Sequence, residues 1–574
     1  MNMKIKRRES EHQKVLLDSL HPVLQKIYAS RNISSEKELD YSLAGLLSFN
    51  RLSGTGVAVD LLVTAIAQEK RILVVADFDA DGATSCAVAI RGLRTMGAKD
   101  VRYVVPNRFE YGYGLTPEIV EVAAREEPDL IITVDNGIAS NEGVAAAKKL
   151  GIQVLITDHH LPGEQLPEAD AIVNPNQPED TFPSKSLAGV GVMFYVLMAL
   201  RSRLREIDWF EKQGMDDPNL AQLLDLVALG TVADVVPLDR NNRILVSQGL
   251  ARIRKGVGCA GIRAIARVAR REFQNLSSSD LGFAIGPRLN AAGRLDDMSL
   301  GIECLLCDDE AKAMQLASDL DQLNHERRQI GDLMLDEATQ ILDSLDFKGN
   351  EMPFGLCLYD PDWHQGVVGI LASRIKEQYH RPVIVFADAD AGEIKGSARS
   401  VKGVHIRDVL DAIATKNPGL ITKFGGHAMA AGLSFSADRY EDFKQAFDRE
   451  VRKYLHAEDL QGVIISDGEL DANDLSLDLA EQLRYAGPWG QQFPEPVFDG
   501  VFDLENARIV GEKHLKMLLR VPERQTLIDA IAFNVTNENW PQGVSKVEIV
   551  YRLDVNEFRG NRNPQLLVQH LSPM

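Results

Sequence analysis

Five cysteines, odd in number and scattered, are all that 574 residues contain. Only Cys304 and Cys307 are close, in "CLLC", and no second pair completes a zinc site. The thiols therefore read as reduced, which excludes a disulfide-stapled secreted scaffold and fits a cytoplasmic protein. Long apolar runs are lacking as well. The longest, "LAGVGVMFYVLMAL", falls short of the roughly 18 residues that a membrane span needs. The basic start "MNMKIKRRES" is not followed by an apolar core, so neither export nor membrane insertion is expected. Internal repeats and low-complexity tracts are not detected. A basic surplus is missing too: 63 Lys and Arg stand against 83 Asp and Glu, a net charge of −20. That excludes a protein that coats nucleic acid nonspecifically, because phosphate neutralisation demands excess positive charge. The field reverses locally between Ile394 and His427, where Lys395, Arg399, Lys402, Arg407, Lys416 and Lys423 face only Asp408 and Asp411.

What is present is an ordinary globular composition, 45% hydrophobic and 25% charged, in a chain too long for one core. After an N-terminal arm (1–70), the short apolar runs "RILVVA", "VRYVV", "DLIITV", "IQVLIT" and "DAIVN" alternate with helical patterns. This predicts βαβ units and a largely parallel sheet in a first α/β domain, 71–306, in which "NLAQLLDLVALGTVADVV" reads as a buried closing helix. Residues 307–345 lack proline and keep helical periodicity, which predicts one long connecting helix. A second α/β lobe follows at 346–458, and alternating runs such as "KVEIVYRLDV" predict a small all-β barrel at 459–574.

The chemistry is concentrated in "RILVVADFDADGATSCA", residues 71–87, where Asp77, Asp79 and Asp81 follow a buried strand. An EF-hand loop also begins D-x-D-x-D-G, but its twelfth position is a glutamate and here it is Val88. A solvated helix cap explains one aspartate, not three. An aspartyl-phosphate phosphotransferase needs further partners that the sequence does not place. The same pattern recurs instead: Asp135 in "LIITVDNG", Asp158, His159 and His160 in "VLITDHH", and Asp234 within the apolar "ALGTVADVV". Ends of neighbouring parallel strands converge on one crevice, so these groups should meet. Crowded carboxylates with one or two imidazoles suit Mn²⁺ or Mg²⁺, and the number of ligands suits two divalent cations placed for in-line attack on phosphorus.

With "DFDADG", "VDNG", "TDHH" and "GTVAD" in this order, the chain resembles the DHH phosphoesterase superfamily. "GPRLNAAGR", "WHQGVVGILASRI", "GSARS" and "FGGHAMAAGLS" narrow the resemblance to its single-stranded-DNA-specific 5′→3′ exonucleases, over essentially the whole chain. The implied architecture is two α/β lobes, of DHH and DHHA1 type, joined by a long helix, with a C-terminal OB-fold barrel. The resemblance implies that Asp135 bridges two metals, that Asp81, His159 and Asp234 hold one, and that Asp79 holds the other. Many relatives carry a histidine where this chain has Val75, and Asp77 or water is expected to replace it. His160 would be catalytic beside the scissile phosphate, with Asp135, while Asp158 would orient a neighbour.

For substrate binding, Arg108, Arg288, Asn290 and Arg294 in the first lobe and Ser397, Arg399 and His427 in the second are the candidates, with Ser397, Arg399 and Arg108 at the 5′ end. A single strand threading between the lobes would lose nucleoside 5′-monophosphates. Tyr551, Phe558, Arg559 and Arg562 are candidates for contacting the downstream strand in the barrel. The family implies a role in recombination and repair, single-stranded DNA as substrate, and a single-strand-binding protein and a helicase as partners. The alternatives are a phosphodiesterase of short oligonucleotides or cyclic dinucleotides, and a nucleic-acid-binding relative without catalysis.

Overall fold

The computed structural model describes residues 3–9, 19–107, 114–344, 352–389, 392–511, 513–521, 526–535, 540–541, 543–558 and 560–574. The chain divides into two compact units, one of residues 1–6 and 324–464 and a larger one of residues 7–323 and 465–574.

The larger unit is organised by five strands, β1 (Arg71–Ala76), β2 (Asp100–Val104), β3 (Leu130–Val134), β4 (Gln153–Thr157) and β5 (Ala171–Val173). They are the five apolar runs of the sequence, in the order β2-β1-β3-β4-β5, and every pair is parallel. Both faces of β1, β3 and β4 are covered, which is why these strands read as almost unbroken apolar runs, whereas edge strand β2 carries the exposed Arg102. Along β1, Ile72, Val74 and Ala76 enter the larger core while Leu73 and Val75 enter a smaller one with Leu115, Ile119 and Ile131.

Register matters most at the carboxyl ends. Ala76 pairs with Val134, Val134 with Thr157, and Thr157 with Val173. The next residues on three adjacent strands are Asp77, Asp135 and Asp158, and their amides continue the ladder to Val134, Thr157 and Val173 at 3.3, 3.0 and 3.1 Å. Strands about 4.8 Å apart thus deliver three aspartates side by side.

The residues before β1 form more than an arm. Helix α1 (Thr55–Ala67) buries Ala58, Leu62 and Ile66 in the larger core. Helices α2 (Ala80–Thr95), α3 (Gly189–Glu206) and α4 (Leu224–Ala233) pack around the sheet, and α4 is followed by further helices rather than closing the domain. One of these, α5 (Gly286–Leu295), rests on the loop after β1: a Cβ on Gly293 would lie 1.9 Å from the Phe78 carbonyl oxygen. Helix α6 (Glu310–Ser344) is the long connection.

In the smaller unit, β6 (Leu356–Tyr359), β7 (Val383–Asp388), β8 (Glu393–Arg399), β9 (Lys423–Gly426) and β10 (Ala430–Ser436) form a mixed sheet in the order β9-β10-β8-β7-β6. Helix α7 (Val368–Tyr379) lies within this unit.

At the C-terminus, β11 (Phe498–Val510), β12 (His514–Arg520), β13 (Leu527–Phe533), β14 (Lys546–Phe558) and β15 (Asn561–Pro573) close a barrel in the order β11-β12-β13-β15-β14. A helix, α8 (Leu477–Tyr485), comes first, so the stretch from 459 is not all β. The barrel belongs to the larger unit, and a buried bidentate pair, Arg31 to Asp467 at 2.9 and 3.0 Å, ties the N-terminal segment to the chain entering it. Tyr551 is 1% exposed and packs on Phe498 and Phe502, so it is a core residue and not a DNA contact.

Because the Phe78 carbonyl cannot yield without moving the aspartate loop, Gly293→Ala is expected to cost about 2 kcal/mol or more. Urea unfolding would read this as a lower midpoint, and an unchanged midpoint would show that α5 does not seat on the loop.

Candidate metal centre

Each functional side chain is placed by a local device. Asp79 caps α2, its Oδ1 accepting from the amides of Asp81 and Gly82 at 2.8 and 3.0 Å. Asp81, in the first turn of α2, caps α3 instead: its two oxygens accept from Gly189 N at 2.7 Å and Val190 N at 2.9 Å. Helix amino termini favour negative charge, so both caps hold carboxylates at the crevice. Glycines make the approach possible. A Cβ on Gly189 would lie 2.6 Å from Asp135 Oδ1, and one on Gly230 would meet Thr84 Oγ1 at 2.2 Å and Asp81 Oδ1 at 2.8 Å. Asp135 has φ +62°, a left-handed conformation that aspartate tolerates better than most residues.

Asp234 is not inside its helix, as the sequence suggested, but at the C-terminal end of α4. There the helix dipole disfavours a carboxylate. Val235 follows at φ +61°, a genuine outlier for a β-branched residue. Both features are costs that a bound cation would offset.

Three groups of ligand atoms lie within 4.8 Å of one another: Asp81, His159 and Asp234; Asp77, Asp79 and Asp135; and Asp135, His159 and His160. His159 Nε2 is 3.1 Å from Asp135 Oδ1 and 3.4 Å from Asp234 Oδ2. Val75 points into the smaller apolar core, and the group containing Asp77 has no imidazole. Burial, then repulsion by Asp79, pushes the Asp81 carboxyl up to about 7, although the amides of Val190 and Gly189 oppose it. Burial and the charges of Asp81 and Asp79 likewise raise Asp135 and Asp234 well above the usual carboxylate range. An oxygen-rich, mutually repelling donor set with imidazole at one side fits hard divalent cations.

Asp158 does different work. Its Oδ1 accepts from the amides of His159 and His160 at 2.7 and 3.1 Å and lies 2.7 Å from His160 Nδ1, while Oδ2 accepts from Ile138 N at 2.9 Å. Burial alone would depress the His160 imidazolium, but its hydrogen bond to Asp158 and the charge of Asp158 outweigh this and hold it at about 9. Asn174 and Asn176, passed over in the sequence, clamp the same loop by donating to the carbonyls of His160 and His159 at 2.9 and 2.6 Å. They follow β5, and the strand-end rule that picked out the aspartates would have found them.

The remaining candidates separate. Asn290 Oδ1 accepts from Ala80 N at 2.8 Å and so fixes the aspartate loop. Arg294 lies on the same helix, partly buried. Arg288 is 6% exposed, with Nε 2.8 Å from Asp321 Oδ1 and Nη1 donating to the Ala284 carbonyl. The fork expected to face phosphate is thus engaged in a buried ion pair. Arg108 lies outside the described residues, as do Arg559 and the side chain of Phe558. Arg562 is paired with Glu481 and Glu557.

In the smaller unit Arg399 Nη1 donates to Ser397 Oγ at 3.0 Å and to the Ala398 carbonyl at 2.8 Å. A Cβ on Gly369 would fall 2.9 Å from Ser397 Oγ and 3.0 Å from Arg399 Nη2, so the glycine leaves this pair open. Burial lowers the Arg399 pKa, and no carboxylate among the described residues lies within 4 Å of its guanidinium. His427 is exposed in the turn between β9 and β10.

Known families match this chain in the order of its domains: the DHH family, N-terminal domain, over residues 71–231, the DHHA1 domain over 353–453 and the RecJ OB domain over 466–570. The single-stranded-DNA-specific exonuclease RecJ of Dickeya dadantii (strain 3937) is 56% identical over 569 residues, 99% of either chain. The chain belongs to the RecJ family. Among solved structures, RecJ from Thermus thermophilus in complex with Mn²⁺ is similar at a TM-score of 0.77 and 30% identity, over 97% of this chain and 76% of that one. The Mg²⁺ complex of that RecJ follows at 0.72 and 28%, over 97% and 75%. The two α/β lobes and the OB barrel expected from the sequence are therefore those of the RecJ family.

A carboxyl whose pKa is raised on folding stabilises the fold only while protonated, and that contribution is lost as pH rises through the folded value, about 7 for Asp81. A divalent cation offsets the loss by holding the ionised form. Mn²⁺ is therefore expected to raise the melting temperature by a larger increment at about pH 8 than at about pH 6, and equal increments would contradict this.

Proposed function

We propose that this chain is a single-stranded-DNA-specific 5′→3′ exonuclease that releases nucleoside 5′-monophosphates and uses two divalent cations, Mn²⁺ or Mg²⁺. The observation that carries the reading is the juxtaposition of two ligand groups, Asp77, Asp79 and Asp135 beside Asp81, His159 and Asp234, with His159 Nε2 3.1 Å from Asp135 Oδ1, in a chain 56% identical to a RecJ exonuclease over 99% of its length. Asp81, His159, Asp234 and Asp135 would hold one cation, and Asp77, Asp79 and Asp135 the other, with Asp77 in place of the imidazole that Val75 does not supply. Such a pair, when bound, lowers the pKa of water and neutralises developing charge on phosphate oxygens.

The chain's own residues do the rest. Asp158 orients the His160 ring through Nδ1 and keeps it protonated at neutral pH. His160 Nε2 then donates to a phosphate oxygen, stabilising the negative charge that grows as the phosphodiester breaks. Asn174 and Asn176 fix the carbonyls on either side, so the ring keeps its aim. Arg399, with Ser397, is the anchor for the 5′ phosphate: a buried guanidinium without a carboxylate partner is completed by an anion. Arg294, His427 and Arg108 are further substrate contacts in this reading. Its setting is the cytoplasm, in recombination and repair, where a single-strand-binding protein and a helicase would supply the strand. No single helix among the described residues is long and apolar enough to cross a membrane.

Single- and double-stranded DNA labelled at either end, incubated with Mn²⁺, tests the reading. Mononucleotides should appear from the 5′ end of single strands only, and internal cuts or loss from the 3′ end would contradict it. Asp135→Ala should abolish cleavage and leave DNA binding largely intact. For 5′-phosphorylated strands, Arg399→Ala should raise KM about ten-fold with little change in kcat. An unchanged KM would remove Arg399 from the 5′ pocket.

A further inference from the structure

Directly after Asp135, in "VDNG", stands Asn136, which belongs to none of the ligand groups. It is 1% exposed, and its carboxamide joins two strand ends: Nδ2 donates to the Val75 carbonyl of β1 at 3.2 Å and to the Val134 carbonyl of β3 at 3.0 Å. The orientation of the amide is fixed, because the reverse would set Oδ1 against both carbonyl oxygens. Val75 lies two residues before Asp77, and Val134 immediately before Asp135. One side chain thus grips both strands where these aspartates leave them.

Completing the ladder does not require these bonds. The Val134 carbonyl already accepts from Asp77 N at 3.3 Å, so without Asn136 it would still be paired. Oδ1 is buried and meets no partner among the described residues, and an unpaired buried acceptor costs stability. What the bonds add is a tie. The one to Val134 closes a loop around Asp135, whose φ is +62°, and Gly137 follows at +113°. Two left-handed residues therefore flank Asn136, and its side chain pins the chain between them. The tie also opposes a force. Beyond burial, the charges of Asp81, Asp79, Asp234 and Asp77 raise Asp135, and like charges at the ends of β1 and β3 push those ends apart. On its other side β3 is tied to β4 by a comparable device, Thr157 Oγ1 donating to the Thr133 carbonyl at 2.7 Å.

We infer that Asn136 is a positioning residue: by tying β1 to β3 it sets the separation of the Asp77 and Asp135 carboxylates, and so how tightly the group of Asp77, Asp79 and Asp135 holds a cation. The inference rests on the two-cation reading. It bears on one group and not the other. Asp81 is held by the amides of Gly189 and Val190, and His159 by the loop that Asn176 clamps, so the group of Asp81, His159 and Asp234 keeps its shape without Asn136.

Calorimetric titration of the metal-free full chain with Mn²⁺ at about pH 8, where the carboxyls ionise, tests this. Asp77→Ala identifies which of the two ions belongs to its group. Asn136→Ala should weaken that same ion by about ten-fold to about a hundred-fold, while the other ion is held as in the parent and the metal-free chain still melts cooperatively. Asn136→Asp keeps the size but cannot donate to both carbonyls. It should weaken the same ion despite the attraction of its added charge. Tighter binding in Asn136→Asp would show that the side chain acts through charge and not as a tie, and would overturn the inference. Equal losses at both ions, or unchanged affinity in Asn136→Ala, would overturn it too. So would a metal-free Asn136→Ala chain that no longer folds, since the residue would then serve the fold as a whole. A parent chain that takes up a single ion would bring down the two-cation reading itself, and the inference with it.

Discussion

Buried carboxylates at the ends of parallel strands repel one another, and that repulsion is the constraint around which the larger unit is arranged. Register brings Asp77, Asp135 and Asp158 level at the carboxyl edge of the sheet. Asp79 and Asp81 arrive from the first turn of α2, and Asp234 from the end of α4. Left alone, Asp81, Asp135 and Asp234 take up protons, as their raised pKa values record. Ionised, they need cations. The surrounding structure keeps the cluster together against this tendency. Two helix amino termini receive Asp79 and Asp81, glycines 189 and 230 make room for the carboxylates, and α5 presses on the loop through Gly293.

The same sheet edge separates two kinds of acid. Burial and then the charges of Asp81 and Asp79 raise Asp135, whereas for Asp158, equally buried, the cost of burial is outweighed by the His160 ring and by backbone amides such as that of Ile138, which hold it below the usual carboxylate range. In the proposed reading the first environment suits a metal ligand and the second a positioning group that keeps an imidazole charged. Two adjacent histidines thus take different roles: His159 faces Asp135 and Asp234, and His160 faces Asp158.

Much of this was legible in the sequence because strand ends are legible. Apolar runs followed by Asp located β1, β3 and β4 and the crevice they share, and the ordered motifs carried the family. What was not legible depended on tertiary partners. Arg288 reads as a phosphate fork, but Asp321, 33 residues away, occupies it. Tyr551 reads as either a groove or a core aromatic, and barrel closure buries it. Asp234 reads as interior to an apolar run because Val235 and Val236 prolong the run beyond it, although Pro237 is a stop signal from which the helix end could have been placed. Residues 1–70 read as an arm because periodicity cannot show that α1 packs into a core assembled from distant strands.

The central claim is that this acidic cluster exists to hold two cations close together. Mn²⁺ titration of the metal-free chain at about pH 8, followed by electron paramagnetic resonance, tests it most directly. The account predicts two ions per chain with the signal of a spin-coupled pair, and loss of the coupled signal in Asp77→Ala. A single uncoupled ion at saturation would contradict it.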